Sequence, residues 1–79
     1  MTRLAKLLAG IRNNPRSVRF GDACKAAEAL GFMRAGGKGC HTVFAKSGEL
    51  TILNFQSRGG FIPPYQARQL IEMMDRYGG

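Results

Sequence analysis

The apolar residues of this chain keep a helical spacing at both ends and a strand-like spacing between. Leu4, Leu7, Leu8 and Ile11 fall at i, i+3, i+4 and i+7, one face of a short amphipathic helix. Asn13-Asn14-Pro15 ends it. Ala23, Ala26, Ala27 and Leu30 form the inner face of a second helix, with Gly21 or Asp22 as its N-cap. Gly31 followed by Phe32 reads as its stop, a left-handed glycine and an apolar residue that packs back. Residues 32–35 begin a strand, and Gly36-Gly37-Lys38-Gly39 is a flexible, basic connection. Residues 40–46 form a second strand, Ser47-Gly48 a hairpin turn and residues 50–55 a third strand. Ser57-Arg58-Gly59-Gly60 is a loop, and Pro63-Pro64 opens the last helix. In that helix Ala67, Leu70, Ile71, Met74 and Tyr77 face the core, opposite Arg68, Gln69, Glu72, Asp75 and Arg76. Met73 and Met74 serve as core and edge filler.

This order makes an α+β chain: helix, helix, three-stranded antiparallel sheet, helix. With 79 residues it is one domain, 1–79, with a core at 18–77 and an N-terminal helical extension at 1–13. A domain this size buries only roughly 60–65% of the surface its unfolded chain exposes, so nearly every large apolar residue is needed in the core. The helices must cover one face of the sheet, since nothing else can bury it. The α-β-β-β-α part has the order of double-stranded-RNA-binding domains, which read RNA by shape and phosphate contacts. Fold order by itself does not establish function.

Twelve Lys and Arg against five Asp and Glu give a net charge of +7. A field of that sign favours polyanions, nucleic acid first and an acidic protein second. The cations are spread along the chain, so none forms a disordered basic tail. Cys24 and Cys40 show no metal-ligand spacing and read as free thiols of a reducing cytoplasm, Cys24 as a small buried side chain. No metal or other cofactor is expected. No apolar run is long enough to span a bilayer, and residues 1–11 lack the continuous apolar stretch of a secretory signal.

Acid–base chemistry near neutral pH has one candidate. His41 is the only histidine, the residue type whose unperturbed pKa lies in that range. It follows the Gly-rich connection, where uncovered backbone N–H groups let a phosphate approach. Val43 and Phe44 are adjacent and both apolar, so alternation leaves the buried face of residues 40–46 open, and a one-residue slip moves His41 from surface to core; we read Phe44 as inward and His41 as outward. The candidate RNA contacts are Lys38, Gly39 and Cys40 in the connection, with Arg34, Lys46, Arg58 and Arg68 around it. His41 would act as general base on a ribose 2′-OH or as general acid on the leaving oxygen, with Lys38, Lys46 or an arginine stabilising charge on phosphate. One histidine fills one of the two proton-transfer roles, so the enzyme would be slow. A lone strand histidine is more often structural than catalytic, and spacing alone does not make this chain an enzyme. Cys40 lacks the His-plus-carboxylate arrangement of a nucleophile. The Gly-rich segment is not a P-loop, since no Gly-Lys-Ser/Thr follows a strand.

Three stretches together resemble the HicA family of bacterial toxins. They are Val18-Arg19-Phe20-Gly21-Asp22 leading to Ala29-Leu30-Gly31-Phe32; Lys38-Gly39-Cys40-His41-Thr42-Val43-Phe44; and Pro64-Tyr65-Gln66-Ala67-Arg68-Gln69-Leu70 with Arg76-Tyr77-Gly78. The resemblance runs from about Asn14 to Tyr77. It implies a double-stranded-RNA-binding-like fold and a ribosome-independent mRNA endoribonuclease (an mRNA interferase) whose essential histidine lands on His41. It also implies inhibition by a HicB-type antitoxin that covers the active-site surface. Cys40 stands where the family usually has Ser, Thr42 where a second His is frequent, and Pro63 where a lysine is common. The alternative reading is a non-catalytic RNA-binding module of the same fold.

Overall fold

A computed structural model describes residues 2–78. It is α+β, in the order α1 (Arg3–Asn13), α2 (Phe20–Ala29), β1 (Met33–Lys38), β2 (His41–Ala45), β3 (Leu53–Gln56), α3 (Pro64–Tyr77). The three strands form one antiparallel sheet in the order β1-β2-β3.

Helix α1 begins where the Thr2 hydroxyl accepts the Ala5 N–H at 3.0 Å. Its apolar stripe sinks in gradually: Leu4 is exposed, Leu7 and Leu8 are partly buried, and Ile11 lies in the core. Arg12 reaches Asp75 of α3 at 2.7 Å, but both side chains are about half exposed. Such a pair contributes at most about 1 kcal/mol, so it is the burial of Ile11 that seats α1.

Helix α2 starts earlier than its sequence suggests. Arg19, not Gly21 or Asp22, is the N-cap, and it makes no side-chain cap bond. The reason is tertiary. The Phe20 N–H donates to the Gly60 carbonyl at 2.9 Å, and the Ile62 N–H donates to the Val18 carbonyl at 2.9 Å. The chain before the helix is therefore held against the segment that leads into α3. Asp22 lies in the first turn, where its charge suits the helix dipole. Ala23, Ala26 and Ala27 are fully buried, and their small side chains let α2 sit close to its neighbours. At its end the Gly31 N–H bonds the Glu28 carbonyl and the Phe32 N–H bonds the Ala27 carbonyl, each at 3.0 Å, with Gly31 at φ 95°. This is the left-handed stop expected of Gly31-Phe32.

The sheet departs from expectation in three places. First, Gly36, Gly37 and Lys38 belong to β1, which runs to Lys38, so the flexible connection shrinks to the turn Gly39-Cys40. The cause is close backbone approach. A Cβ at Gly37 would lie 2.4 Å from the His41 oxygen and 2.7 Å from the Thr42 Cα, and φ there is +127°. Only glycine lets β1 pair at this point. Second, β2 begins at His41 rather than at Cys40. Third, Ser47-Gly48 does not close a tight hairpin, and β3 begins only at Leu53.

Thr42 and Phe44 of β2 and Leu53 and Phe55 of β3 point to the helices and are buried. The Phe44 and Phe55 rings meet at 5.8 Å. Helix α3 starts with Pro63 as N-cap and Pro64 in its first turn. It buries Gln66, Ala67, Leu70, Met73 and Met74, so Met73 takes the central place foreseen for Ile71, which is only partly buried. Truncating Leu70 to Ala would cost about 2–5 kcal/mol. All six residues of β1 are exposed, so the helical cover lies over β2 and β3 and leaves β1 as a free edge.

Candidate functional site

The two-residue turn Gly39-Cys40 fixes the geometry around His41. Gly39 has φ 62° and Cys40 does not have positive φ, the pattern of a turn with glycine at its first central position. The turn sets Lys38 opposite His41 in the register. Across the other side, His41 is opposite Gln56 of β3. Directly opposed residues of an antiparallel pair share a face. Lys38, His41 and Gln56 therefore form one row across the sheet, one residue from each strand, on the face without helices. His41 is exposed, as is Lys38.

Two bonds hold this row. The Ser57 N–H donates to the Cys40 carbonyl at 2.9 Å. The Gln56 N–H points away from β2 and donates to the Oε1 of Gln66 at 2.9 Å. Gln66 is only 3% exposed, so this is a buried amide satisfying an edge-strand donor. Its Nε2 donates to the Tyr65 hydroxyl at 3.3 Å. The Arg58 guanidinium reaches the Gln56 Oε1 at 3.4 Å, a long contact that brings a second cation to the row. Gln56 and Gln66 were not singled out from the sequence. A glutamine in a polar stretch carries no local signal; only the strand register reveals it.

The seven residues proposed to touch RNA divide into groups. Lys38, Gly39 and Cys40 adjoin His41, and Arg58 joins through Gln56. Lys46 lies five residues along from His41, roughly 16 Å at strand rise. Its ammonium sits 4.8 Å from the centre of the Tyr77 ring. Arg34 pairs with Phe44 and lies near Cys24 of α2, whose thiol is pushed up by burial first, then by Glu28, with Arg34 pulling it down. Arg34 and Lys46 are thus away from the His41 row. Arg68 is exposed on α3 and makes no ion pair or side-chain hydrogen bond with these residues. Cys24 is half-buried rather than buried, and Cys40 is exposed; both are free thiols.

Glu49 is the only carboxylate between Ala29 and Ile71. Its side chain is 4% exposed and fully engaged. Oε1 accepts from Arg76 and from the Tyr77 hydroxyl, each at 2.6 Å, and Oε2 accepts the Thr51 N–H at 2.8 Å. The Tyr77 bond, then the Thr51 and Arg76 bonds, hold its carboxyl down at about 2. The bond to Glu49 and then burial push the Tyr77 phenol up, against a pull downward from Arg76. The long β2–β3 connection is thereby tied to the end of α3.

A cavity of about 240 Å³ lies elsewhere, between α1 and the start of α2, lined by Lys6, Leu7, Ile11, Asn14, Val18 and Asp22 among others. The His41 row is open surface, which suits a polymer backbone better than a small molecule. Among the described residues no helix is long and apolar enough to cross a membrane, and no group of three or more His, Cys, Asp or Glu is placed to hold a metal ion. No known family, no curated protein and no solved structure matches the chain.

Proposed function

We propose that this chain is a HicA-like toxin, an endoribonuclease that cleaves mRNA with His41 as its acid–base catalyst and is held in check by a HicB-type antitoxin in the cytoplasm. The observation that carries the reading is the row Lys38–His41–Gln56 on the open face of the sheet, with Lys38 and His41 exposed and, in sequence, no carboxylate but Glu49 between Ala29 and Ile71. The sequence resemblance of residues 14–77 supports it. The net charge of +7 and the order of α2 to α3 fit an RNA ligand.

In this reading the phosphodiester lies against the Gly39-Cys40 turn, within reach of Lys38, whose charge stabilises the negative charge that builds on phosphorus. The ribose 2′-OH attacks its own phosphate. His41 takes the proton from that hydroxyl or gives one to the departing 5′ oxygen. Arg58 holds a flanking phosphate, while Arg34, Lys46 and Arg68 add to the wider field. With one imidazole the second proton transfer falls to water, which makes a slow nuclease. DNA lacks the 2′-OH and resists this route. An acidic partner would cover the same open face, which Met33 (75% exposed) joins as the partner of Ala45 in the register.

A non-catalytic RNA-binding module has one observation in its favour. Among the described residues the His41 imidazole has no hydrogen-bonding side chain to orient it, unlike many catalytic histidines. The experiment that decides is induction of wild type and His41→Ala in bacteria, paired with RNA and DNA cleavage by the purified proteins. Growth arrest and RNA cleavage by wild type alone support the nuclease. Equal toxicity of two folded proteins supports the binding module. No toxicity and no cleavage from either overturns the toxin reading.

A further inference from the structure

We propose that Tyr65 and Phe61 form a stacking subsite for an unpaired base, so that the chain prefers single-stranded over double-stranded RNA; this rests on the RNA reading above. Two aromatic rings stand at the β3 end of the His41 row and are not used by the core. Tyr65 is 53% exposed and Phe61 36% exposed, whereas Phe32, Phe44 and Phe55 are buried.

Their attachment to the row is short. The Tyr65 hydroxyl is bonded to Gln66 Nε2, and Gln66 Oε1 holds the N–H of Gln56, which is opposite His41. Phe61 pairs by backbone with Arg58, whose side chain reaches Gln56. The rings also keep cationic company. Phe61 bridges to Arg19 as well, and the Arg19 guanidinium lies 5.5 Å from the ring centre. From Leu50 to Ile71 the sequence contains Arg58 and Arg68 and no carboxylate.

Each ring has a plainer role: Phe61 and Tyr65 each border the buried residues Ile62 and Gln66 in sequence. That role does not need a third of Phe61 and half of Tyr65 left in water, nor an arginine over the Phe61 ring. Aromatic faces beside arginines are what single-stranded RNA recognition uses, because an unstacked base offers a π-face for the ring and its phosphates offer charge for the guanidinium. In a duplex the bases are stacked on each other and cannot reach the rings. The subsite accordingly departs from the shape reading of duplex RNA that the element order alone would imply. A base held there would fix the strand beside His41 and set which phosphate meets the imidazole.

The probe is a short 2′-O-methyl RNA that cannot be cleaved by 2′-OH attack, carrying one 2-aminopurine, used alone and annealed to its complement. Wild type should bind the single strand and quench its fluorescence, with weaker binding and no quenching for the duplex. Tyr65→Ala and Phe61→Ala should each weaken single-strand binding about tenfold and reduce the quenching. Tyr65→Phe, which keeps the ring and loses only the hydroxyl, should retain both. Tyr65 is exposed enough that its variants test the idea even where Phe61→Ala does not fold. Unchanged binding by folded Tyr65→Ala overturns the subsite, as does a Tyr65→Phe variant as weak as Tyr65→Ala. If wild type binds and cleaves RNA while the ring variants match it, only the subsite falls. If wild type binds neither form of the probe and cleaves no RNA, the RNA reading falls with it.

Discussion

The two ends of strand β2 are each flanked by a lysine, and the fold uses the two differently. At one end Lys38 stands beside His41, exposed and without a carboxylate partner. At the other, Lys46 lies over the Tyr77 ring, next to a clasp in which Glu49 accepts from Arg76, Tyr77 and Thr51. Charge at the second end is satisfied internally and holds the fold. At the first, no ion pair among the described residues engages it. The lesson is that net charge does not identify a binding surface. What marks one is the set of cations the fold leaves without a partner.

The sharpest way to break this contrast is at His41. Replacement by Ala should lower RNA cleavage by about 10²–10⁴-fold while the thermal midpoint stays that of wild type. A large loss of stability would show that the imidazole serves the fold, and would erase the difference between the two ends. Next comes Gly37→Ala, which should destabilise the chain by about 1–3 kcal/mol from backbone strain alone, read by urea unfolding. Its Cβ would press on His41 and Thr42, so β1 must shift. An unchanged midpoint would mean that Lys38 is not held opposite His41 by close pairing.

The clasp is tested by pH. Glu49 has a folded pKa of about 2 against an ordinary value of 4.5. A depressed carboxylate contributes stability that is fully present above the unfolded value and is lost as pH falls through the folded one. Wild type should therefore exceed Glu49→Gln in urea midpoint at pH 7. The gap should narrow as pH falls from about 4.5 towards 2. Cleavage at neutral pH should change much less than stability. A constant gap across that window would remove the carboxylate from the clasp. The smallest effect separates the two lysines. Lys38→Met should reduce cleavage about tenfold with unchanged stability. Lys46→Met should do the opposite, losing about 0.5–1 kcal/mol of cation–π attraction and little activity. Equal losses of cleavage would place both lysines on the RNA.

Helix spacing was legible wherever a face repeats. Ala23, Ala26, Ala27 and Leu30 pointed inward as their period requires, and Gly31-Phe32 stopped the helix as expected. The outward turn of His41 goes with the burial of Phe44 three residues later, an odd separation, but the adjacent apolar Val43 kept the sequence from deciding which face is buried. The errors came where distant parts of the chain decide. Gly36-Gly37 looks like a loop because glycine weakens strands, and only the approach of His41 and Thr42 makes it a strand. Ser47-Gly48 looks like a tight hairpin because nothing nearby announces that Glu49 will bond Arg76 and Tyr77. The Lys46 position suffers the same blindness: its partner ring belongs to the last helix. Of the candidate site, His41 and Lys38 could be named in advance, but Gln56, Gln66 and the aromatic pair required the register.

Helix α3 grips the strand pair β2–β3 at both ends, through Gln66 at Gln56 and through Arg76 and Tyr77 at Glu49. During synthesis the strands leave the ribosome before the helix that fastens them. Until residue 77 has emerged, the edge of β3 lacks its amide cap and the β2–β3 connection lacks its anchor. The His41 row therefore matures last, its β3 member fastened only once the third helix has been made.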